Sequence, residues 1–216
     1  MLAGSFVFTV VCAAVMLGAL AANKLMLMAV AKMLASCGFL AMAIAGGALQ
    51  YPYGWAVLAG LFFSWWGDLF LLSYQDKIFL AGLVVFFLAH VAYVGAFAVH
   101  GVNWPTVAAA AMAMVVPFAL VAWWLRGHLG EMRVPVYAYM LVISLMVAFS
   151  AGAWAAGGTR WIPVAAVLFY VSDIFVARDK FVRPGIVNRY LGLPLYYGGQ
   201  VVFAYTVAAT FARMTQ

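Results

Sequence analysis

Eight continuous apolar stretches, each close to the about 20 residues that a helix needs to cross a bilayer, leave this chain few ways to fold. They run over 4–22, 25–46, 55–74, 78–99, 105–125, 134–155, 161–177 and 193–212. Only 7% of the residues are charged, against about 25% in a soluble domain. That is too little polar surface to cover a globule in water. In lipid the backbone must satisfy its own hydrogen bonds, through helices or a closed barrel. Barrel strands would alternate in polarity over about 10 residues, and these stretches do not. The reading is therefore all-α: a polytopic transmembrane bundle of eight helices, forming a single domain over 1–216. The first stretch lacks a basic lead and a small-residue cleavage site, so it reads as a span and not as a signal peptide.

The breaks between spans are short and carry the charge. Lys24, Lys77, Arg126, Arg133, Arg178, Lys180, Arg183 and Arg189 fall on one side of the membrane, whereas Arg160 and Arg213 fall on the other. Basic loops stay in the cytoplasm, so both termini are expected outside, in a bacterial inner membrane. The net charge of +6 then reflects topology and contact with lipid head groups; no nucleic acid partner is implied, and oligomeric state is left open. Cys12 and Cys37 lie inside apolar stretches and form no disulfide framework or metal spacing.

An internal repeat is visible. Gly67-Asp68-Leu69-Phe70 in the third span matches Ser172-Asp173-Ile174-Phe175 in the seventh. Each is followed by an Asp-Lys-aromatic turn, at Asp76-Lys77-Ile78-Phe79 and at Asp179-Lys180-Phe181. The spacing fits four helices followed by four more in the same orientation, a parallel repeat of a kind known in membrane proteins.

A charged residue inside a span costs at least ~2.5 kcal/mol on insertion scales, so an intramembrane Asp is first a functional candidate. Asp68 and Asp173 are such residues, and the repeat puts both near one membrane face. Lys24 opens the second span, with Lys32 two turns deeper, where it needs a carboxylate or phosphate partner. Ser64, Asp68 and Gln75 fall within about 40° of one another on a helix. His90 and Tyr93 share a face at i, i+3 spacing, as do Tyr196 or Tyr197 with Gln200. Tyr137 and Tyr139 stand early in the sixth span. These tyrosines also fit an interfacial aromatic belt. No Gly-x-Ser-x-Gly nucleophile, His-Glu-x-x-His zinc helix or phosphate loop is present, so no metal and no cofactor is expected.

Lys24, Gly67-Asp68, His90 with Tyr93, Ser172-Asp173 and Tyr196-Tyr197 with Gln200, in that order along eight helices, resemble the lysoplasmalogenase family, the YhhN-like and TMEM86-like membrane hydrolases. The chain departs from the family at Leu25, where Pro is frequent, and at Asp179, where Asn is common. The resemblance implies hydrolysis of the vinyl ether bond of 1-alkenyl lysophospholipids to a fatty aldehyde and a glycerophospho-head-group. Asp68 and Asp173 would act as an acid–base pair sharing one proton. Lys24 and Lys32 would suit the phosphodiester, and His90, Tyr93, Tyr197 and Gln200 would orient water or the glycerol hydroxyl, with Ser64 in support. Two other classes also fit buried aspartates: a proton-coupled small-solute transporter and a non-catalytic lipid-binding protein. A transporter needs a path to both faces, whereas the polar residues crowd one. An intramembrane aspartyl protease would need Tyr-Asp and Gly-x-Gly-Asp signatures, which Ser172-Asp173 and Trp66-Gly67-Asp68 lack.

Overall fold

The computed structural model describes residues 1–73 and 75–215. Its helices are α1 (Leu2–Ala21), α2 (Leu25–Ala45), α3 (Pro52–Phe70), α4 (Asp76–His100), α5 (Trp104–Leu125), α6 (Arg133–Ala155), α7 (Trp161–Ala177) and α8 (Ile186–Met214). No strand occurs among the described residues, and the chain is a multi-pass helical membrane protein. Six helices are long and apolar enough to cross a membrane. The other two are α3 and α8, which carry Ser64, Asp68, Asn188, Arg189 and Gln200. They afford this polarity because neighbouring helices, not lipid, surround their polar faces. By contrast α5 buries only Val107 and Leu125 and turns residues such as Met112, Val116 and Leu120 outward.

Local chemistry sets several helix ends. Pro52 stands at the first position of α3 after extended Tyr51, where its missing N–H costs nothing. Asn103 caps α5, its Oδ1 accepting from the Thr106 amide at 3.0 Å. Successive helices pack as hairpins: α1 with α2, α3 with α4, α5 with α6, and α7 with α8. The α3–α4 pair is close because glycines line it. A Cβ at Gly60 would stand 2.5 Å from the Tyr93 ring, and one at Gly67 2.5 Å from the Phe86 ring. Gly67 thereby lets the helix wall carrying Phe86 and His90 close against Asp68.

The repeat is visible in the packing. α2 lies on α3 as α6 lies on α7, and α8 meets α2 as α4 meets α6. The two Asp-Lys-aromatic turns meet each other: Lys180 Nζ is 2.6 Å from Asp76 Oδ1, and Phe79 and Phe181 pack edge to face with centroids 5.7 Å apart.

Two boundaries differ from the hydropathy reading. α3 ends at Phe70, so Asp68 sits in its last turn; the expected end of that span at Tyr74 lies outside the described residues. Gln75 precedes α4 as its N-cap and so takes no part in the polar stripe of α3. α8 begins at Ile186, well before position 193. Its first turns are polar because Asp179 ties them down. The Asp179 carboxylate accepts from Gly185 N at 2.8 Å, Asn188 Nδ2 at 3.1 Å and Arg189 Nε at 3.2 Å. A short π-helical turn, Arg178–Val182, links α7 to this anchor.

Candidate active site

The helix ends on the basic-loop side enclose a cavity of about 670 Å³, within the about 300–1,000 Å³ usual for small-ligand sites. Its walls are mostly apolar, with Met28, Leu83, Leu125, Met140 and Ile143 among them. Lys32, Asp68, Tyr139, Ser172, Asp173 and Tyr196 supply polar groups within it, and Lys180 and Arg189 line it near the mouth. The opposite half of the bundle is closed by Tyr53, Tyr93, Phe97 and Phe203, all buried.

Asp68 is nearly sealed, with 2% of its side chain exposed, and Lys32 Nζ approaches its Oδ1 at 3.2 Å. Its Oδ2 accepts from Ser36 Oγ at 2.7 Å and from Tyr196 Oη at 2.6 Å. The Lys32 ammonium also donates to the Asp68 carbonyl at 3.1 Å. A carboxylate ringed by a cation and two hydroxyl donors has the environment of a fixed negative charge.

Asp173 is wired differently. Tyr139 Oη donates to its Oδ2 at 2.5 Å. Its Oδ1 has a single long contact, 3.4 Å from Ser172 Oγ. Ser172 has one hydroxyl proton, and its shorter bond, 2.7 Å, goes to the Phe169 carbonyl. Oδ1 is thus left only weakly engaged by the protein. No Lys or Arg nitrogen pairs with Asp173 among the described residues. The ionisable neighbour is His90, with Nε2 4.0 Å from Asp173 Oδ2. His90 Nδ1 lies 2.5 Å from the Phe86 carbonyl, and a carbonyl can only accept, so Nδ1 carries the hydrogen. Nε2 of the neutral ring then offers a lone pair, and it is buried without a protein partner. His90 is fully buried and does not itself line the cavity; it stands behind Asp173.

The repeat organises these contacts. Each aspartate is met from the helix before its own and from the last helix of the other half: Lys32 and Ser36 on α2 and Tyr196 on α8 for Asp68, Tyr139 on α6 and His90 on α4 for Asp173. One scaffold thus holds two carboxyl groups in unlike electrostatic settings.

The other candidates from sequence fall into outer layers. Tyr197 is buried behind Asp68, donating to the Lys32 carbonyl at 2.9 Å and standing 3.1 Å from Ser36 Oγ. Tyr93 donates to Gln200 Oε1 at 2.7 Å, and Ser64 bonds the Gly60 carbonyl at 2.9 Å. These three are buried and do not line the cavity. Lys24 is exposed at the N-cap of α2 and does not line it either. Ser36 and Tyr139 belong to the site although sequence reasoning leaves Ser36 out and gives Tyr139 a belt position. The one sequence sign of Ser36 is its place one turn beyond Lys32.

The YhhN family profile matches residues 27–207. The chain belongs to the YhhN family. Among relatives, the lysoplasmalogenase TMEM86A of Bos taurus is 30% identical over 171 residues, covering 74% of this chain and 68% of the relative. The human TMEM86A lysoplasmalogenase is 29% identical over 163 residues, with the same coverage of 74% and 68%. A lysoplasmalogenase of Mycobacterium tuberculosis is 31% identical over 168 residues, 73% of this chain and 62% of the relative. No solved structure matches the chain. The YhhN match spans Lys32, Asp68, His90, Tyr139, Asp173 and Tyr196.

Proposed function

We propose that this YhhN protein is a membrane hydrolase that cleaves the vinyl ether bond of 1-alkenyl lysophospholipids. The observation that carries the reading is the pair of unlike carboxyl groups on one apolar cavity. A vinyl ether is cleaved by placing a proton on its outer alkene carbon, which leaves an oxocarbenium ion. Water adds to that ion, and the hemiacetal collapses to a fatty aldehyde and the free glycerol hydroxyl of the head-group fragment. The chemistry needs one acid that carries a proton and one fixed negative charge.

Asp173 is the acid in this scheme, its Oδ1 holding the proton delivered to carbon. The Asp173 carboxylate left behind receives a proton from the attacking water, with His90 beside it. Tyr139 steadies Asp173 through both stages. Asp68 remains ionised and offsets the positive charge of the oxocarbenium ion. Lys32 is engaged by Asp68, so its role is to hold that charge rather than the phosphodiester. The alkenyl chain lies along the apolar wall, and the head group lies toward Lys180 and Arg189. The closed opposite half supports an enzyme opening to one face over a transporter. A panel of lysolipids tests the reading: purified protein should release the chain from the 1-alkenyl compound and leave the 1-acyl and 1-alkyl analogues intact. Equal attack on the ester would point to another reaction, and binding of all three without cleavage to a lipid carrier.

The basic loops support a cavity mouth at the cytoplasmic leaflet of a bacterial inner membrane. Alkaline phosphatase fused after Met214 is expected to be active, and the same reporter placed between Arg126 and Arg133 inactive. The reverse pattern would invert the sidedness.

A further inference from the structure

At the surface opposite the cavity mouth lies a second pocket of about 530 Å³, where the start of α7 meets the end of α8. Arg160 and Arg213 both line it, with Trp154, Trp161 and Tyr205. The Arg160 guanidinium stands 5.3 Å from the centre of the Trp161 ring. Arg213 donates to the Gly157 carbonyl at 2.9 Å, which fixes one edge of a fork with five donors.

The charge inventory of the chain gives this pocket its meaning. There are five acidic side chains: Asp68, Asp76, Glu131, Asp173 and Asp179. All sit in the half of the bundle nearer the cavity mouth. Asp173, which shares α7 with the pocket, is roughly 18 Å from Trp161 at 1.5 Å per residue. No side-chain carboxylate can therefore reach the two guanidiniums, although both line one pocket from distant points of the sequence. Trp154, Trp161 and Tyr205 mark the depth at which aromatic side chains meet lipid head groups.

We infer that this pocket binds the phosphate of a resident membrane phospholipid, gripped by Arg160 and Arg213, with the glycerol portion against Trp161 and Tyr205. The match is chemical: guanidinium forks bind phosphate through paired charge-assisted hydrogen bonds. A phosphate bound by both arginines clamps the α7–α8 hairpin, which carries Asp173 and Tyr196. The site is separate from the catalytic cavity and does not rest on the proposed reaction.

Thermal unfolding of the full chain in detergent tests this with three additives: diacyl phosphatidylglycerol, diacylglycerol with the same chains, and inorganic phosphate. Phosphatidylglycerol is expected to raise the Tm of the wild type, and diacylglycerol or inorganic phosphate at equal concentration to do so far less. In the Arg160→Gln/Arg213→Gln variant, the phosphatidylglycerol concentration for half-maximal effect should rise at least about tenfold, as for loss of hydrogen bonds to a charged group. The single variants should fall between. An unchanged response in the double variant would overturn the proposal, as would equal stabilisation of the wild type by diacylglycerol. Equal stabilisation by inorganic phosphate would make this a free-anion site and end the lipid assignment. The three-additive comparison in the wild type stands even if the double variant does not fold.

Discussion

Asp173→Asn is expected to lower aldehyde release from a 1-alkenyl lysophospholipid at least about a hundredfold, the lower end of what general acid–base help contributes. The amide keeps the size of the carboxyl group, and its oxygen can still accept from Tyr139. What it loses is the proton at Oδ1 and the base that later takes one from water. Asp68→Asn should lose activity on a similar scale, because the oxocarbenium ion then forms without its counter-charge. The double variant should be little worse than the weaker single, since groups serving one transition state are not additive. His90→Gln should cost less, because Asp173 keeps its own proton. Turnover measured on monodisperse protein decides the matter: near-normal rates in either Asn variant would remove that aspartate from the chemistry.

Lys32→Met should destabilise the protein by about 3–5 kcal/mol, the usual cost of removing one partner from a buried ion pair. For a chain of this length that lowers Tm by about 6–20 °C. The cause is Asp68, whose carboxylate would keep its hydroxyl donors but lose the cation 3.2 Å away. Lys32→Met combined with Asp68→Asn should recover much of the loss, because a neutral amide needs no counter-charge in a membrane interior. Thermal unfolding in detergent of the two singles and the double gives the coupling directly. A Lys32→Met protein as stable as wild type would mean that the pair contributes little, and that Lys32 is there for a ligand.

The two central aspartates are legible in the sequence because lipid makes an unpartnered carboxylate so costly. The same argument demands a carboxylate or phosphate for Lys32, and the fold supplies Asp68. The eight helices are legible as apolar stretches, although α3 and α8 carry enough polar residues to fall short of a span by length and composition. Ser36 is not legible, since a serine inside a span is ordinary and nothing local shows that it will face Asp68 on another helix. Tyr139 has the position of a belt tyrosine; only the packing of α6 on α7 reveals its bond to Asp173. The first turns of α8 read as loop because Asn188 and Arg189 are polar, and the Asp179 anchor that ties them down lies inside the π turn. Lys24 errs in the other direction. Its charge at a helix start suggests the site, but the N-cap of α2 leaves it outside the cavity.

The central claim is that the carboxyl groups of this cavity put a solvent-derived proton on the outer carbon of a vinyl ether. The most direct measurement is hydrolysis of a 1-alkenyl lysophospholipid in deuterated water, with the aldehyde trapped at once and weighed by mass spectrometry beside unlabelled aldehyde kept in the same buffer. Wild-type protein should yield aldehyde with one deuterium at C2, the former outer alkene carbon, together with the glycerophospho-head-group, and Asp173→Asn should yield almost none. Aldehyde without deuterium, or no aldehyde from well-folded wild-type protein, would contradict the account.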